Sequence, residues 1–142
     1  MILLDANVLV FAFRKDANQH REFRDWPKSS LLNEPAIGLS ELVLSSVIRI
    51  ATHPGIFAKL STFDEVLGFC DHLLRQPNVA RVSPGDRHWS IFAGMAREAR
   101  VRGNLVTDAY FAALAIENGA EWITTDRDFA RFKSLRWRHP LS

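Results

Sequence analysis

Thiol chemistry is almost absent from this 142-residue chain: its one cysteine, Cys70, cannot form an intramolecular disulfide, which excludes a disulfide-stapled secreted scaffold. Long apolar runs are missing too, and no charge-free stretch approaches the roughly 18 residues that a membrane span needs. The opening Met1-Ile2-Leu3-Leu4-Asp5 has no basic residue ahead of its apolar stretch and a carboxylate straight after it, unlike a secretory signal peptide. A reducing cytoplasm, away from any membrane, is the expected setting. There is no internal repeat, no low-complexity tract and no linker rich in Pro, Gly or Ser, so residues 1–142 are expected to form a single domain. The sequence also lacks the phosphate loop G-x-x-x-x-G-K-[ST], the dinucleotide loop G-x-G-x-x-G, the zinc motif H-E-x-x-H and the serine elbow G-x-S-x-G.

What is present is ordinary globular material, 47% hydrophobic and 24% charged. Short apolar runs alternate with longer helical patterns, which predicts an α/β fold with a mainly parallel sheet. Ile2-Leu3-Leu4 reads as a buried strand, followed by a short helix from Asn7 to Phe13 and a more amphipathic one over residues 19–31. Ala36-Ile37-Gly38-Leu39 is a second strand, and Ser40 caps a helix running to about Thr52, stopped by His53-Pro54-Gly55. Helical spacing recurs at Phe63, Val66, Leu67, Cys70 and Leu73, and again at Trp89, Phe92, Ala93 and Ala96, with a short strand at 79–82 between. Thr107 reads as the cap of a helix carrying Tyr110, Phe111, Leu114 and Ala115, closed by Gly119. Trp122 to Thr125 is the next strand, and 135–138 adds another.

Four acids fall at recurring places in that pattern. Asp5 follows the first strand, Glu41 follows Ser40, Asp108 follows Thr107, and Asp126 follows the strand ending at Thr125. In an open parallel sheet, the C-terminal ends of the strands are where ligands bind. Each acid also has a plainer explanation. Glu41 and Asp108 suit a first helical turn through the helix dipole alone, and Asp126 suits a turn. Asp5 is harder to dismiss, because a carboxylate ending an apolar strand is rarely buried without a partner. Converging carboxylates raise one another's pKa or are neutralised by a divalent cation, and an all-oxygen set favours Mg²⁺ or Mn²⁺ over Zn²⁺. Such an ion polarises phosphoryl oxygens, so phosphodiester hydrolysis needs no protein nucleophile.

The five histidines are scattered and are assigned structural or surface roles. Cys70 and Trp89 are expected in the core, which is also favoured for Trp26, Trp122 and Trp137. The formal net charge is only +2, but residues 127–138 carry Arg127, Arg131, Lys133, Arg136 and Arg138 against Asp128 alone. A basic stretch near an acidic site suits a polyanion as well as it suits a solvated face.

Leu4-Asp5-Ala6-Asn7-Val8-Leu9, Leu39-Ser40-Glu41-Leu42, Asp108 to Ala115 and Thr124-Thr125-Asp126-Arg127-Asp128-Phe129 together resemble the PIN-domain nucleases, and among them the VapC-type toxins of toxin–antitoxin systems. The resemblance covers nearly the whole chain in order and spacing. It implies a flavodoxin-like three-layer α/β/α sandwich with a four- or five-stranded, mainly parallel sheet, and Mg²⁺- or Mn²⁺-dependent endoribonuclease activity. Carried over, Asp5, Glu41, Asp108 and Asp126 are the catalytic acids, with Asp5, Asp108 and Asp126 on the metal. Asn7 and Thr124 orient Asp5, and Asp128 contributes more weakly. Arg14, Lys15, Arg127, Arg131 and Arg136 are expected to guide the RNA backbone. A cognate VapB-like antitoxin and a second copy of the chain are the implied partners. Three alternatives remain at this point: a PIN nuclease of RNA processing outside toxin–antitoxin systems, a catalytically silent PIN module that binds RNA or protein, and a HAD-type phosphatase, which Asn7 disfavours because that class needs an acid there.

Overall fold

Ile2, Leu3 and Leu4 are all buried, as in a strand of a sheet covered on both faces. The computed structural model of the chain, which describes residues 1–14, 34–55 and 61–142, places this strand, β1 (Ile2–Leu4), at the centre of a sheet. Asp5 then caps α1 (Ala6–Phe13) by accepting the Ala6 N–H. Next come β2 (Ile37–Leu39) and α2 (Glu41–Ala51), the latter capped by the Ser40 hydroxyl as the sequence predicts. A Thr62/Glu65 capping box opens α3 (Phe63–Leu74), which leads to β3 (Val79–Arg81). Two helices follow, α4 (His88–Glu98) and α5 (Asn104–Glu117), then β4 (Glu121–Ile123), a 3₁₀ turn (Arg127–Arg131) and β5 (Trp137–Arg138).

All five strands pair in parallel, in the order β3-β2-β1-β4-β5. The chain builds outward from β1 to β3, then returns to the other side of β1 with β4. Right-handed crossovers therefore place α1, α2 and α3, which pack on one another, on one face, and the α4–α5 pair on the other. The result is a three-layer α/β/α sandwich whose strand order reverses between β1 and β4. The C-terminal ends of these two strands mark the switch point, the crevice at which open parallel sheets bind ligands. Beneath it lies a core in which Trp122 stacks on Phe111 at 5.6 Å and meets Phe129 at 5.5 Å. No described helix is long and apolar enough to cross a membrane.

Two sequence expectations fail here. Thr107 is not a cap: α5 begins four residues earlier than expected, at Asn104, after Gly103 turns the chain at φ +60°, so the start is set by a backbone bend and not by a hydroxyl. Trp89 is 71% exposed, because α4 is rotated by one residue and presents His88 inward instead. His88 is buried, stacks on Phe92 and bonds the Tyr110 carbonyl at 3.0 Å. The far end of α5 follows expectation. Gly119 (φ +61°) donates to the Ile116 carbonyl and Ala120 to that of Ala115, a complete Schellman closure. Cys70 and Trp122 are in the core, while the helix expected over 19–31, together with Lys15 and Trp26, lies outside the described residues.

Candidate active site

Asp5 is held from three directions at the crevice between β1 and β4. Its Oδ1 accepts from the Ala6 N–H at 2.7 Å, and its Oδ2 accepts from the Thr124 hydroxyl at 2.7 Å and from the Asn7 side-chain amide at 3.2 Å. Thr124 is fully buried just after β4, and its one oxygen is used to capacity. That oxygen donates to Asp5 and accepts from the Asp126 N–H at 3.0 Å and from Asn7 at 3.3 Å. Asn7 closes the loop by accepting the Thr125 N–H at 3.3 Å. The strand ends are thus sewn together by side chains on either side of the switch point, and Asn7 and Thr124 orient Asp5.

Burial pushes the Asp5 carboxyl up to about 6; the Thr124 and Ala6 bonds resist that rise, and the Asp126 charge adds to it. Asp108, in the second turn of α5, is likewise raised to about 6, first by burial and then by the charges of Asp126, Asp5 and Asp128, against a lowering pull from Arg131. Asp126 caps the 3₁₀ turn, its Oδ1 accepting from the Asp128 N–H at 2.9 Å. It is therefore both a turn former and a member of the acidic group.

Glu41 stands apart. It starts α2 on the same edge of the sheet, but its exposed carboxylate takes Arg81 of β3 at 3.2 Å. Arg81 escaped the sequence reading, although a base closing the strand Val79–Arg81 falls at the same edge as the acids. As they stand, no three His, Cys, Asp or Glu side chains among the described residues are close enough to share one metal ion. The donor chemistry nevertheless fits a hard cation of the Mg²⁺ kind, which needs only one or two carboxylates and completes its shell with water and phosphate oxygens. Asp5, Asp108 and Asp126 are the carboxylates whose mutual repulsion it would relieve.

The basic residues distribute less simply than their clustering in the sequence suggests. Arg14 is buried, not presented to a ligand: it bonds the Ala51 carbonyl at 3.3 Å and the Ser61 hydroxyl at 2.6 Å, tying α1 to the end of α2. Arg136 precedes β5, at the opposite edge of the sheet from the acids, and bonds the Gly119 carbonyl at 2.8 Å. Arg138 pairs with Glu121 at 2.9 Å. Arg131 does lie beside the site, its Nε donating to the Asp128 carbonyl at 3.0 Å. Arg127 is exposed at the start of the 3₁₀ turn.

The family model of the PIN domain matches residues 2–135, from β1 through the 3₁₀ turn. Ribonuclease VapC43 of Mycobacterium tuberculosis is 39% identical over 141 residues, covering 99% of this chain and 96% of that protein. The chain belongs to the PIN domain family. Within it, the similarity is to the VapC ribonucleases: VapC31 of the same organism is 37% identical over 140 residues and 99% of both chains. The PIN fold is seen also in the crystal structure of VapBC2 from Rickettsia felis bound to a DNA fragment from its promoter, with a TM-score of 0.72 at 19% identity over 98% of each chain. The matched span takes in Asp5, Glu41, Asp108, Asp126 and Asp128, so the acidic crevice is part of the PIN domain proper, whereas β5 lies beyond it.

Proposed function

We propose that this PIN domain is an endoribonuclease toxin that cleaves cellular RNA by phosphodiester hydrolysis and is neutralised by a small cognate antitoxin. The observation that carries the reading is the crevice at the strand-order switch, where Asp5, Asp108 and Asp126 act on one another through space while Asn7 and Thr124 fix Asp5. Full-length similarity to proteins named VapC ribonucleases supports it. The Thr124 hydroxyl donates to the Asp5 carboxylate, but it is fully buried and its oxygen already accepts from Asn7 and the Asp126 N–H, so it is not placed to attack a phosphate.

Asp5, Asp108 and Asp126 would hold Mg²⁺, with Mn²⁺ as a substitute. The ion supplies Lewis-acid polarisation of a phosphoryl oxygen. The rest falls to the chain. Asp5 cannot swing away, because three donors fix its two oxygens. Asp108, whose carboxyl burial and the neighbouring acids raise to about 6, would be held in its ionised form by the charge of such an ion. Asp128 and Arg131 form the rim on the 3₁₀ turn, where Arg131 meets the RNA backbone. Single-stranded or looped RNA suits an edge of this kind, because its bases are free to splay outward. A basic side chain from the antitoxin, placed among the same acids, would satisfy them as a cation does.

Incubation of the purified protein with total cellular RNA in Mg²⁺, in Mn²⁺ and in EDTA tests the reading, with Asp5→Asn purified in parallel. Discrete bands that need the metal and vanish in the variant are expected. Equal cleavage by both proteins would place the chemistry elsewhere, and inertness of the parent in every condition would favour a silent binding module.

A further inference from the structure

A groove of about 340 Å³ runs along α4 toward the acidic crevice and is not explained by the hydrolytic residues. One wall is α4, presenting Ile91, Gly94 and Met95; the other is the end of the 3₁₀ turn and the chain after it, with Arg131, Phe132 and Lys133. Phe132 is buried beneath the groove and Met95 half-buried, so its base is apolar, while Arg131 and Lys133 make its outer wall cationic. Hydrogen bonds join this wall to the crevice: Asp128 donates its N–H to Asp126 at 2.9 Å, and Arg131 donates to the Asp128 carbonyl at 3.0 Å. Arg131 is thus shared between the rim of the crevice and the groove.

We propose that the groove is a nucleotide subsite, which takes one unpaired base of single-stranded RNA on its apolar floor and the adjoining phosphate on Arg131 and Lys133. The assignment rests on the ribonuclease reading above and adds to it a place where sequence is read. Its volume sits at the small end of ligand pockets, roughly 300–1,000 Å³, which suits a nucleoside and not a helix some 10–12 Å across. An extended peptide would find a helix and a loop here, with no strand edge to pair with. The combination of cationic wall and apolar floor is what a base with its phosphate requires. Glu98, on the α4 side, adds an acceptor that favours a base edge carrying an amino group.

Gly94 provides the test. Gly94 lines the groove and a Cβ built there meets nothing within 4 Å, so the first atom of a larger side chain is accommodated without a clash. Gly68 of α3 has the same open surroundings but lies outside the groove, and Gly68→Leu is the control. Gly94→Leu, Gly68→Leu and the parent are titrated in EDTA against a fluorescein-labelled pool of random-sequence single-stranded 12-mer RNA, and all three are melted. Gly94→Leu should melt no lower than the parent, since leucine is the better helix former, yet bind the pool about tenfold more weakly, the size of one lost base contact. Gly68→Leu should bind as the parent does, and Lys133→Ala should lower the salt slope by about one. Folded Gly94→Leu that binds the pool as tightly as the parent would overturn the subsite. So would a variant that cleaves RNA normally but escapes the antitoxin, which would give the groove to a protein partner. A parent that neither binds the pool nor cuts cellular RNA would instead sink the ribonuclease reading itself, and the subsite with it.

Discussion

Replacement of Asp5 by asparagine should abolish a loss of stability that sets in as pH rises toward neutral, while it destroys activity. In the unfolded chain this carboxyl titrates at its ordinary value of 3.8, and in the crevice burial raises it to about 6. Between those values the native state holds a proton that the unfolded state has released, so stability falls as pH rises through the window and levels off above it. At 1.36 kcal/mol per pKa unit the full shift is worth about 3 kcal/mol, of which about 2.5 kcal/mol accrues between pH 4 and pH 7.5. The asparagine side chain does not titrate and carries no such dependence. The Tm difference, variant minus parent, should therefore grow by roughly 5–10 °C from pH 4 to pH 7.5 in EDTA, at the 2–4 °C per kcal/mol typical of this size. Relief of the Asp108 carboxyl, which Asp5 also raises, adds in the same direction. The hydrogen bond that asparagine cannot reproduce toward Thr124 or Asn7 shifts every point downward by a similar amount and leaves the slope intact. Scanning calorimetry of both proteins across pH 4–8 measures this directly. A Tm difference that stays flat would show that Asp5 titrates normally and that burial does not strain the crevice.

Thr124→Val removes the oxygen that serves Asp5, Asn7 and the Asp126 N–H, and should weaken Mg²⁺ binding about 10- to 100-fold with the fold retained, as read by isothermal titration; unchanged affinity would refute the positioning role. Arg14→Ala should lower stability by roughly 1.5–3 kcal/mol in urea unfolding without altering RNA affinity, since its guanidinium faces the Ala51 carbonyl and Ser61. Gly38→Ala should cost roughly 1–3 kcal/mol by the same assay, because a Cβ in β2 would meet Val82 Cγ2 at 2.7 Å and Leu3 at 3.3 Å.

The acids at β1 and β4 were legible because their cause is local: an apolar strand ends, the chain turns, and a carboxylate stands at the turn. The same local logic found the Ser40 cap and the Gly119 closure. It failed where a single residue of helix rotation decides the outcome. His88 and Trp89 both fit the inward stripe of α4, and the Tyr110 carbonyl, twenty-two residues on, selects the histidine. It failed again where charges were counted along the chain. Arg14 and Arg136 are basic by sequence, yet one is tied to the end of α2 and the other to the far edge of the sheet by backbone carbonyls that no periodicity marks. Glu41 reached the expected edge but found Arg81, a pairing that depends on β2 and β3 lying side by side in register, Leu39 against Arg81.

The crevice concentrates a cost that any suitable cation relieves. Asp5 and Asp108 are both held near 6 by burial and by neighbouring charge, so at neutral pH each is ionised against the preference of its surroundings. On the proposed function, Mg²⁺ and a basic side chain of the antitoxin would draw on the same relief. Once one is bound the other gains less, and the two are negatively coupled even where their contacts do not overlap. Inhibition of this kind needs no change of fold, because neutralising the acids that hold the ion is enough.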